Sequence, residues 1–359
     1  MKKIFVSGCY DIIHAGHVQF FIDAKALGEH LTVCIASDKV LMLEKKRKPS
    51  LPMEHKKSLI HALEMVDDVV IGENLEKGLD FKKHFLRIKP HVLAVTEDDK
   101  YNKIKRDLCA LVGAEYVVLP KTPPKIDQIN TSTIVNKIQA PQEVPLRVDF
   151  AGGWLDVPRF SKKGGFIVNC AITPFVSLNK WEYKKKSGLG GSAAWAILNG
   201  KDGIKSELNL GVGWQDPAII HETGLCVWNS GVKPELYLKR NCNMLKGLMA
   251  INFSKDNHDT PLIVDIERNY SLIYKAGQIA CKAVINEDLT QLADAVRISY
   301  EVQLGEGMDQ LLEVDNCIAQ KYCGGGWGGY ALYLFSSKLD REKFVNNNSQ
   351  AKPVEPFMN

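Results

Sequence analysis

The chain has 359 residues, 45% of them hydrophobic and 25% charged, which is typical of a globular protein long enough for two domains. No apolar stretch approaches the roughly 20 residues of a membrane-spanning helix, and the formal net charge of +4 is too small to argue for nucleic acid. The nine cysteines are scattered and form no Cys-x-x-Cys pair, which indicates reduced thiols and a cytoplasmic location. We therefore expect no membrane or nucleic-acid partner.

Residues 1–139 alternate short apolar runs with amphipathic stretches. The first run is too short for a signal peptide and is interpreted as a strand. The runs lie at 3–6, 31–36, 68–71, 91–95 and 115–119. This alternation predicts an α/β domain with a doubly wound parallel sheet, whose ligands bind at the carboxyl ends of the strands.

Residues 140–345 form the second predicted domain, which follows a proline-containing connection. Strand-like runs mix there with long helical patterns, and this mixture predicts an α+β fold. The strand-like runs lie at 146–150, 166–172 and 330–335, and the helical patterns at 271–285, 289–303 and 307–320. The polar tail, 346–359, is predicted to be disordered. We expect the protein to be a homo-oligomer.

The first strand leads into a glycine turn that carries two histidines. His14 and His17 are three residues apart at the start of a predicted helix, where free N–H groups and the helix dipole favour anions. Two imidazoles there can stabilise the charge on a phosphorus undergoing transfer. Taken alone, the pattern is equally compatible with one histidine facing solvent.

Further segments give this turn a family context. The stretches Gly8–His17, Lys45–Lys48, Thr96–Asp99 and Ile129–Ile134 together resemble the HxGH nucleotidyltransferase superfamily, specifically its cytidylyltransferase-like branch. The resemblance spans residues 1–138. It implies that an acceptor phosphate attacks the α-phosphorus of a nucleoside triphosphate and releases pyrophosphate, with Mg²⁺ assisting. CTP is the expected donor, and ATP is the alternative.

The same resemblance implies roles for individual residues. His14, His17 and Lys46 are expected to act on phosphates, and Asp11 is expected near the acceptor. Thr131 and Ser132 are expected to cap the closing helix over the triphosphate. The further nucleotide-binding residues implied are Gly8, Cys9, Tyr10, Lys56 and Asp98. Lys56 stands where the family usually has arginine, and lysine lacks the bidentate fork, so triphosphate affinity or nucleotide choice can differ.

Four glycine-containing segments follow one another in the second domain: 145–156, 187–194, 213–216 and 322–329. The second offers backbone N–H groups and a helix N-terminus to phosphates, but it lacks the Gly-Lys-Ser/Thr of a Walker A loop. The fourth is expected to pack its backbone tightly beside the second. Each segment alone is more often a turn than a phosphate site.

In this order the four segments resemble the GHMP kinase superfamily, with the fucokinase and heptose-phosphate kinase group as the nearest branch. The resemblance implies transfer of the γ-phosphoryl group of ATP to a sugar hydroxyl. Asp216 is the implied base or orienting carboxylate, and Arg147 and Asp156 are the implied substrate contacts. The phosphate loop would consist of Gly188, Gly190, Gly191 and Ser192, with Ser192 near Mg²⁺.

One departure concerns the length of the kinase-like domain. Only 35 positions separate Gly153 from Gly188, and the missing segment would normally help to form the adenine pocket. Two hypotheses stay open. Either the chain is a bifunctional sugar-activating enzyme, or it is a cytidylyltransferase whose kinase-like domain is an inactive binding or oligomerisation module.

Overall fold

The protein is described by a computed structural model that covers residues 1–45, 48–121, 129–184, 187–255 and 265–359. The chain divides into two compact units, Met1–Val135 and Asn136–Asn359. No helix among the described residues is both long and apolar enough to cross a lipid bilayer.

The first unit is a parallel sheet with strand order β3-β2-β1-β4-β5 in the described part. Its strands are β1 Lys3–Gly8, β2 His30–Ile35, β3 Asp68–Ile71, β4 Val92–Thr96 and β5 Glu115–Leu119. Its helices are α1 Ala15–Lys25, α2 Asp38–Lys45, α3 Met53–His61, α4 Lys82–Ile88, α5 Asn102–Val112 and α6 Thr131–Ile138, the last of which continues into the second unit. The predicted doubly wound sheet is confirmed.

The central strand β1 is buried on both faces, as an apolar run in a parallel sheet should be. Ile4 belongs to a core cluster with Phe21, while the next residue, Phe5, packs between Phe81 and Phe85 on the opposite face. Helices therefore cover the sheet on both sides, and the carboxyl ends of the strands are left for ligands.

The second unit contains an eight-stranded sheet in its described part, with the order β11-β12-β10-β13-β7-β8-β9 and β6 paired to β7. The strands are β6 Glu143–Ala151, β7 Phe166–Ser177, β8 Leu225–Asn229, β9 Leu236–Arg240, β10 Met249–Lys255, β11 Cys317–Tyr322, β12 Gly329–Phe335 and β13 Ala351–Pro356. The helices are α7 Gly191–Leu198, α8 Gly203–Asn209, α9 Gln215–Glu222, α10 Tyr270–Asn286, α11 Leu289–Gly305 and α12 Lys338–Asn347, with 3-10 turns at Pro158–Phe160 and Asn243–Leu245. The predicted α+β fold is confirmed.

The prediction of a disordered C-terminal tail is wrong. Residues 351–356 form β13, which pairs antiparallel with β10 on one side and β7 on the other. The strand is polar overall, but Ala351 and Val354 are buried. Two neighbouring strands satisfy its backbone groups, so few apolar side chains are enough to hold it in place.

The helix predicted at 307–320 is also wrong. This stretch is irregular up to Asn316, which has a left-handed φ of 58°, and then forms β11 against β12. The apolar residues matched a helical period locally, but pairing with β12 determines the conformation.

Candidate functional site

The first candidate site lies at the carboxyl edge of the parallel sheet. Residues 9–11 follow β1, and Asp98 follows the adjacent strand β4. The strand order reverses between β1 and β4, and in open α/β sheets such a reversal opens a crevice where ligands bind.

His14 and His17 lie together at the start of α1. Their rings stack with centroids 3.8 Å apart and planes inclined by 27°. The ring of His17 also meets the edge of Tyr10, 5.2 Å away. Within the part of the chain that is described, the Nδ1 atoms of both histidines are buried and lack hydrogen-bond partners.

Burial determines the charge state of this pair. Desolvation, helped by the neighbouring His14, lowers the pKa of His17 from its usual 6.5 to about 4. Desolvation also lowers the pKa of His14. Both rings are therefore mainly neutral near pH 7, and a bound polyphosphate would favour their protonated, doubly donating form.

Asp11 belongs to a buried polar network that the sequence did not reveal. It accepts hydrogen bonds from the Ser50 backbone (2.9 Å) and hydroxyl (2.7 Å). Lys56, which is 1% exposed, lies 3.7 Å from Asp11 and donates to Asp38 at 2.8 Å. Lys56 thus holds two carboxylates beside the site, one after β1 and one at the start of α2.

The start of α6 is attached to the histidine turn. The Thr131 hydroxyl donates to the Ile12 carbonyl at 3.3 Å. The cap of α6 is Asn130, whose side chain accepts from the Thr133 backbone at 2.9 Å, so the expectation that Thr131 and Ser132 cap this helix is wrong. Ser132 is exposed on the first turn.

The remaining implied residues of this site fall into three groups. Asp98 is exposed and pairs with Lys121 (2.7 Å), which follows β5. Tyr10 is buried, and we infer that it supports His17 rather than contacting a ligand. Gly8 ends β1, burial raises the pKa of Cys9 beside it, and Lys46 lies outside the described residues.

The second candidate site is built around the buried side chain of Arg147 on β6. Its Nε and Nη2 donate to the two carboxylate oxygens of Asp216 at 2.7 and 2.8 Å. Its Nη1 donates to the Gly188 carbonyl and, at 3.1 Å, to Asp149. Lys321 of β11 forms an ion pair with Asp149 from the other side. The structure thus brings Arg147, Asp216 and the start of the glycine loop together.

The glycine loop leads directly into α7 and depends on a close backbone approach. Gly188 has a φ of +85°, and a Cβ there would lie 2.3 Å from the Cys323 carbonyl oxygen. Gly324, in the fourth glycine segment, also lies against Gly188. This contact confirms the predicted packing of the two glycine segments. Gly190 is the N-cap of α7, so the first N–H groups of Gly191 and Ser192 lie at a helix N-terminus, which attracts anions.

Asp156 is 2% exposed and joins two of the motifs. It accepts from the backbone and the side-chain amide of Gln215, both at 3.2 Å, and a Cβ at Gly213 would lie 1.7 Å from its Oδ2. Desolvation raises the pKa of Asp156 to about 7, with Asp216 adding to the effect. For Asp156 to contact a sugar as predicted, the sugar would have to take the place of one of its hydrogen bonds with Gln215.

Glu207 of α8 is the residue that sequence reasoning missed beside the predicted Mg²⁺ position. It is 4% exposed, and desolvation followed by the neighbouring Asp216 raises its pKa to about 7, while a hydrogen bond with Ser192 opposes the shift. Its Oε1 is buried and lacks a hydrogen-bond partner in the described part of the chain.

The Glu207 carboxylate and the Ser192 hydroxyl fit Mg²⁺ as ligands. Proteins often hold this ion through one or two carboxylates, while water and substrate phosphates complete its coordination shell. No group of three or more His, Cys, Asp or Glu side chains suited to a metal occurs among the described residues. If Mg²⁺ binds here together with substrate phosphates, Ser192 and Glu207 are the neighbouring side chains that would hold it.

Arg147 was predicted as a substrate contact, but its buried ion pair with Asp149 was not predicted, although the sequence carries a signal for it. Arg147 and Asp149 are two charges on the same face of an otherwise apolar strand, a spacing that indicates a buried ion pair. The sequence carries no such signal for Glu207, because nothing in its own segment indicates a functional role. Only the packing of α8 near α7 and α9 brings Glu207 to Ser192.

Comparison with known proteins separates the two units. Residues 5–137 match the family described as cytidylyltransferase-like. FAD synthase of Pyrococcus horikoshii is 39% identical over 139 residues, which cover 38% of this chain and 91% of that relative. The chain belongs to the cytidylyltransferase-like family, and its first unit is a nucleotidyltransferase-like domain.

The solved structures similar to the remainder include GHMP-type kinases. L. major mevalonate kinase has 13% identity and a TM-score of 0.44, covering 61% of this chain and 96% of that one. Streptococcus pneumoniae phosphomevalonate kinase has 11% identity and a TM-score of 0.44, covering 60% and 99%. With TM-scores below 0.5, neither structure bears on the activity of this chain.

Proposed function

We propose that the first unit transfers a nucleotidyl group from a nucleoside triphosphate to a phosphate-bearing acceptor. The observation that carries this proposal is the stacked His14–His17 pair at the N-terminus of α1, where both Nδ1 atoms are buried and have no hydrogen-bond partner among the described residues. An acceptor oxygen attacks the α-phosphorus, the bond to the bridging oxygen of the β-phosphate breaks, and pyrophosphate leaves. The two imidazoles and the first N–H groups of α1 stabilise the negative charge that develops.

We infer a sugar phosphate as the acceptor and CTP as the donor, so that the product is a nucleotide sugar. The implied contact residue Asp11 is held rigidly by Ser50 and Lys56, which suits an acceptor that must be positioned for attack. Similarity to an FAD synthase favours a second candidate. FAD joins a flavin phosphate to an adenylate, so in that case the donor would be ATP.

The second unit, in the same proposal, phosphorylates the sugar from ATP. Phosphates would bind at the loop 188–192, with Ser192 and Glu207 holding Mg²⁺, which neutralises phosphate charge when bound. Asp216 would orient the attacking hydroxyl, and its bidentate pairing with Arg147 holds it in place. The product of this unit is the class of substrate that the first unit consumes.

The test of the first unit is a matrix of nucleoside triphosphates against sugar 1-phosphates and flavin mononucleotide, scored by pyrophosphate release. We expect release with CTP and at least one sugar 1-phosphate, and its loss in His17→Ala. Release with ATP and the flavin alone would replace the sugar assignment by the flavin one. Release that is unchanged in His17→Ala would overturn the site.

The test of the second unit uses the full chain carrying His17→Ala, which silences the first unit. We expect sugar-dependent ADP formation that Asp216→Ala removes. If no sugar supports ADP formation, the second unit is a binding or oligomerisation module.

A further inference from the structure

Two buried thiols of the second unit lie against one another, and the proposed reactions do not use them. The sulfur atoms of Cys170, on β7, and Cys242, which follows β9, are 4.0 Å apart. Within the described ranges, no other two cysteine sulfurs lie within hydrogen-bonding distance of one another. A disulfide has a sulfur–sulfur distance of about 2.05 Å, so these two atoms need to approach by only about 2 Å to be joined.

Cys242 differs from the other cysteines in its ionisation. All nine cysteines lie in the described ranges, and burial raises the pKa of the other eight. The pKa of Cys242 is lowered, chiefly because the Cys170 thiol can donate a hydrogen bond to its thiolate. The Leu225 backbone and the charges of Lys246 and Lys239 add to the effect. Since the thiolate is the form that reacts with oxidants, Cys242 is the more reactive member of the pair.

Exposure gives the two thiols the same order of reaction. Cys242 is 5% exposed, whereas Cys170 and the neighbouring Cys226 are fully buried. An oxidant as small as hydrogen peroxide therefore meets the Cys242 sulfur first. Cys170 then lies in contact with the oxidised sulfur, where a second thiol is needed to complete a disulfide.

We propose that Cys170 and Cys242 form a reversible disulfide when the chain meets hydrogen peroxide. The Cys242 thiolate attacks one peroxide oxygen, the O–O bond breaks, and a sulfenic acid and a hydroxide form. The Cys170 sulfur loses its proton, attacks the Cys242 sulfur and displaces a second hydroxide. The two thiol protons convert both hydroxides to water, so two thiols and one peroxide give one disulfide and two waters. A dithiol reductant reverses the bond by exchange.

The disulfide would enclose the second candidate site along the chain. Cys170 and Cys242 are 72 positions apart, and the glycine loop, Glu207 and Asp216 all lie between them. A cross-link restricts the conformations that the enclosed segment can reach when it unfolds. Oxidation would therefore act on the segment that carries this site, whether or not the second unit phosphorylates a sugar.

Peptide mapping of the full chain tests the proposal. The protein is treated with hydrogen peroxide, its remaining thiols are blocked, and it is digested without reduction for mass spectrometry. We expect a cross-linked pair of peptides that contain Cys170 and Cys242, and we expect the nine thiols titrated in denaturant to fall by two. Dithiothreitol should restore them. A map without this link would overturn the proposal, and so would a link between Cys242 and Cys226. The wild-type map needs no substitution, so it decides the matter even if a variant fails to fold.

Three variants test the order of the steps. Cys170→Ser should stop the reaction at the sulfenic acid of Cys242, which dimedone labels. Cys242→Ser should lose no thiol to peroxide. The matched control is Cys281→Ser, which removes a thiol that is 3% exposed on α10 and should still lose two of its remaining thiols. Loss of two thiols in Cys242→Ser would contradict the assignment of Cys242 as the residue that is oxidised first.

Discussion

Arg147 and Asp216 form a two-point ion pair next to the glycine loop, with N–O distances of 2.7 and 2.8 Å. The residues are 69 positions apart, and Arg147 at the same time reaches the Gly188 carbonyl and Asp149. One guanidinium therefore links β6, the loop and the start of α9. This connection gives the implied catalytic carboxylate a fixed orientation.

We predict that Arg147→Met destabilises the second unit by about 3 kcal/mol, because it leaves buried carboxylates without their partner. Urea unfolding followed by tryptophan fluorescence measures this, since that signal arises from the second unit alone. The matched control is Arg159→Met, which removes a pair with Asp265 in which the side chains are 51% and 82% exposed and should cost less than about 1 kcal/mol. Equal effects of the two substitutions would contradict the conclusion that the buried ion pairs of Arg147 stabilise the second unit.

His17 should titrate far below an ordinary histidine. With its pKa lowered to about 4 by desolvation, its contribution to stability is fully present above the unfolded value near 6.5 and is lost as pH falls toward 4. NMR of the imidazole C–H signals should give a midpoint near 4 in the folded chain and near 6.5 in urea. The control is His17→Asn, whose unfolding free energy should fall less between pH 6.5 and 4. A folded midpoint near 6.5 would contradict the buried placement.

Glu207 should make metal-dependent nucleotide binding sensitive to pH. Its pKa is raised to about 7 by desolvation, so its stabilising effect is present below about pH 4.5 and is lost as pH rises through 7. Mg²⁺ needs the carboxylate, so the Mg²⁺-dependent part of ATP affinity should rise about tenfold from pH 6 to 8. Glu207→Gln should abolish that rise, while Glu222→Gln, a half-exposed carboxylate paired with Lys239, should keep it. A rise that persists in Glu207→Gln would place the metal elsewhere.

Lys56→Ala should destabilise the first unit by about 3 kcal/mol, because Asp11 and Asp38 lose the cation between them. The measurement is urea unfolding followed by far-UV circular dichroism. Lys82→Ala is the control, since it removes an exposed pair with Glu76 and should cost less than about 1 kcal/mol. Pyrophosphate release should fall as well, because Asp11 would no longer be held in position. A stable Lys56→Ala protein would show that these carboxylates rearrange without cost.

Truncation after Gln350 should unfold the second unit or expose it to proteolysis. The deletion removes β13, which lies between β10 and β7, and leaves the facing backbone groups of both strands without partners. Limited proteolysis should cleave the truncated second unit while the first stays resistant. Substituting Met358, an exposed residue beyond the strand, by Ala should have no effect. A protease-resistant second unit in the truncated chain would contradict the central role of β13.

The first unit was predictable because its signals are local. Apolar runs such as residues 31–36 become buried parallel strands, and the glycine turn between β1 and α1 places His14 and His17 within three residues of one another. The glycine segment 322–329 was likewise expected to pack beside the glycine loop, and Gly324 lies against Gly188. Periodicity and turn chemistry act over a few residues, and a linear pattern records them.

What the sequence alone determined, then, is the fold class of each unit and the turns that carry its histidines and glycines. The tertiary structure decided which charges meet: Lys56 with Asp11, and Glu207 with Ser192. It also decided that the polar C-terminal segment forms β13, the strand between β10 and β7. These outcomes depend on partners that lie outside the segment itself. The free energy of an ion pair or of a strand in a sheet is set by that surrounding structure and not by the segment's own composition.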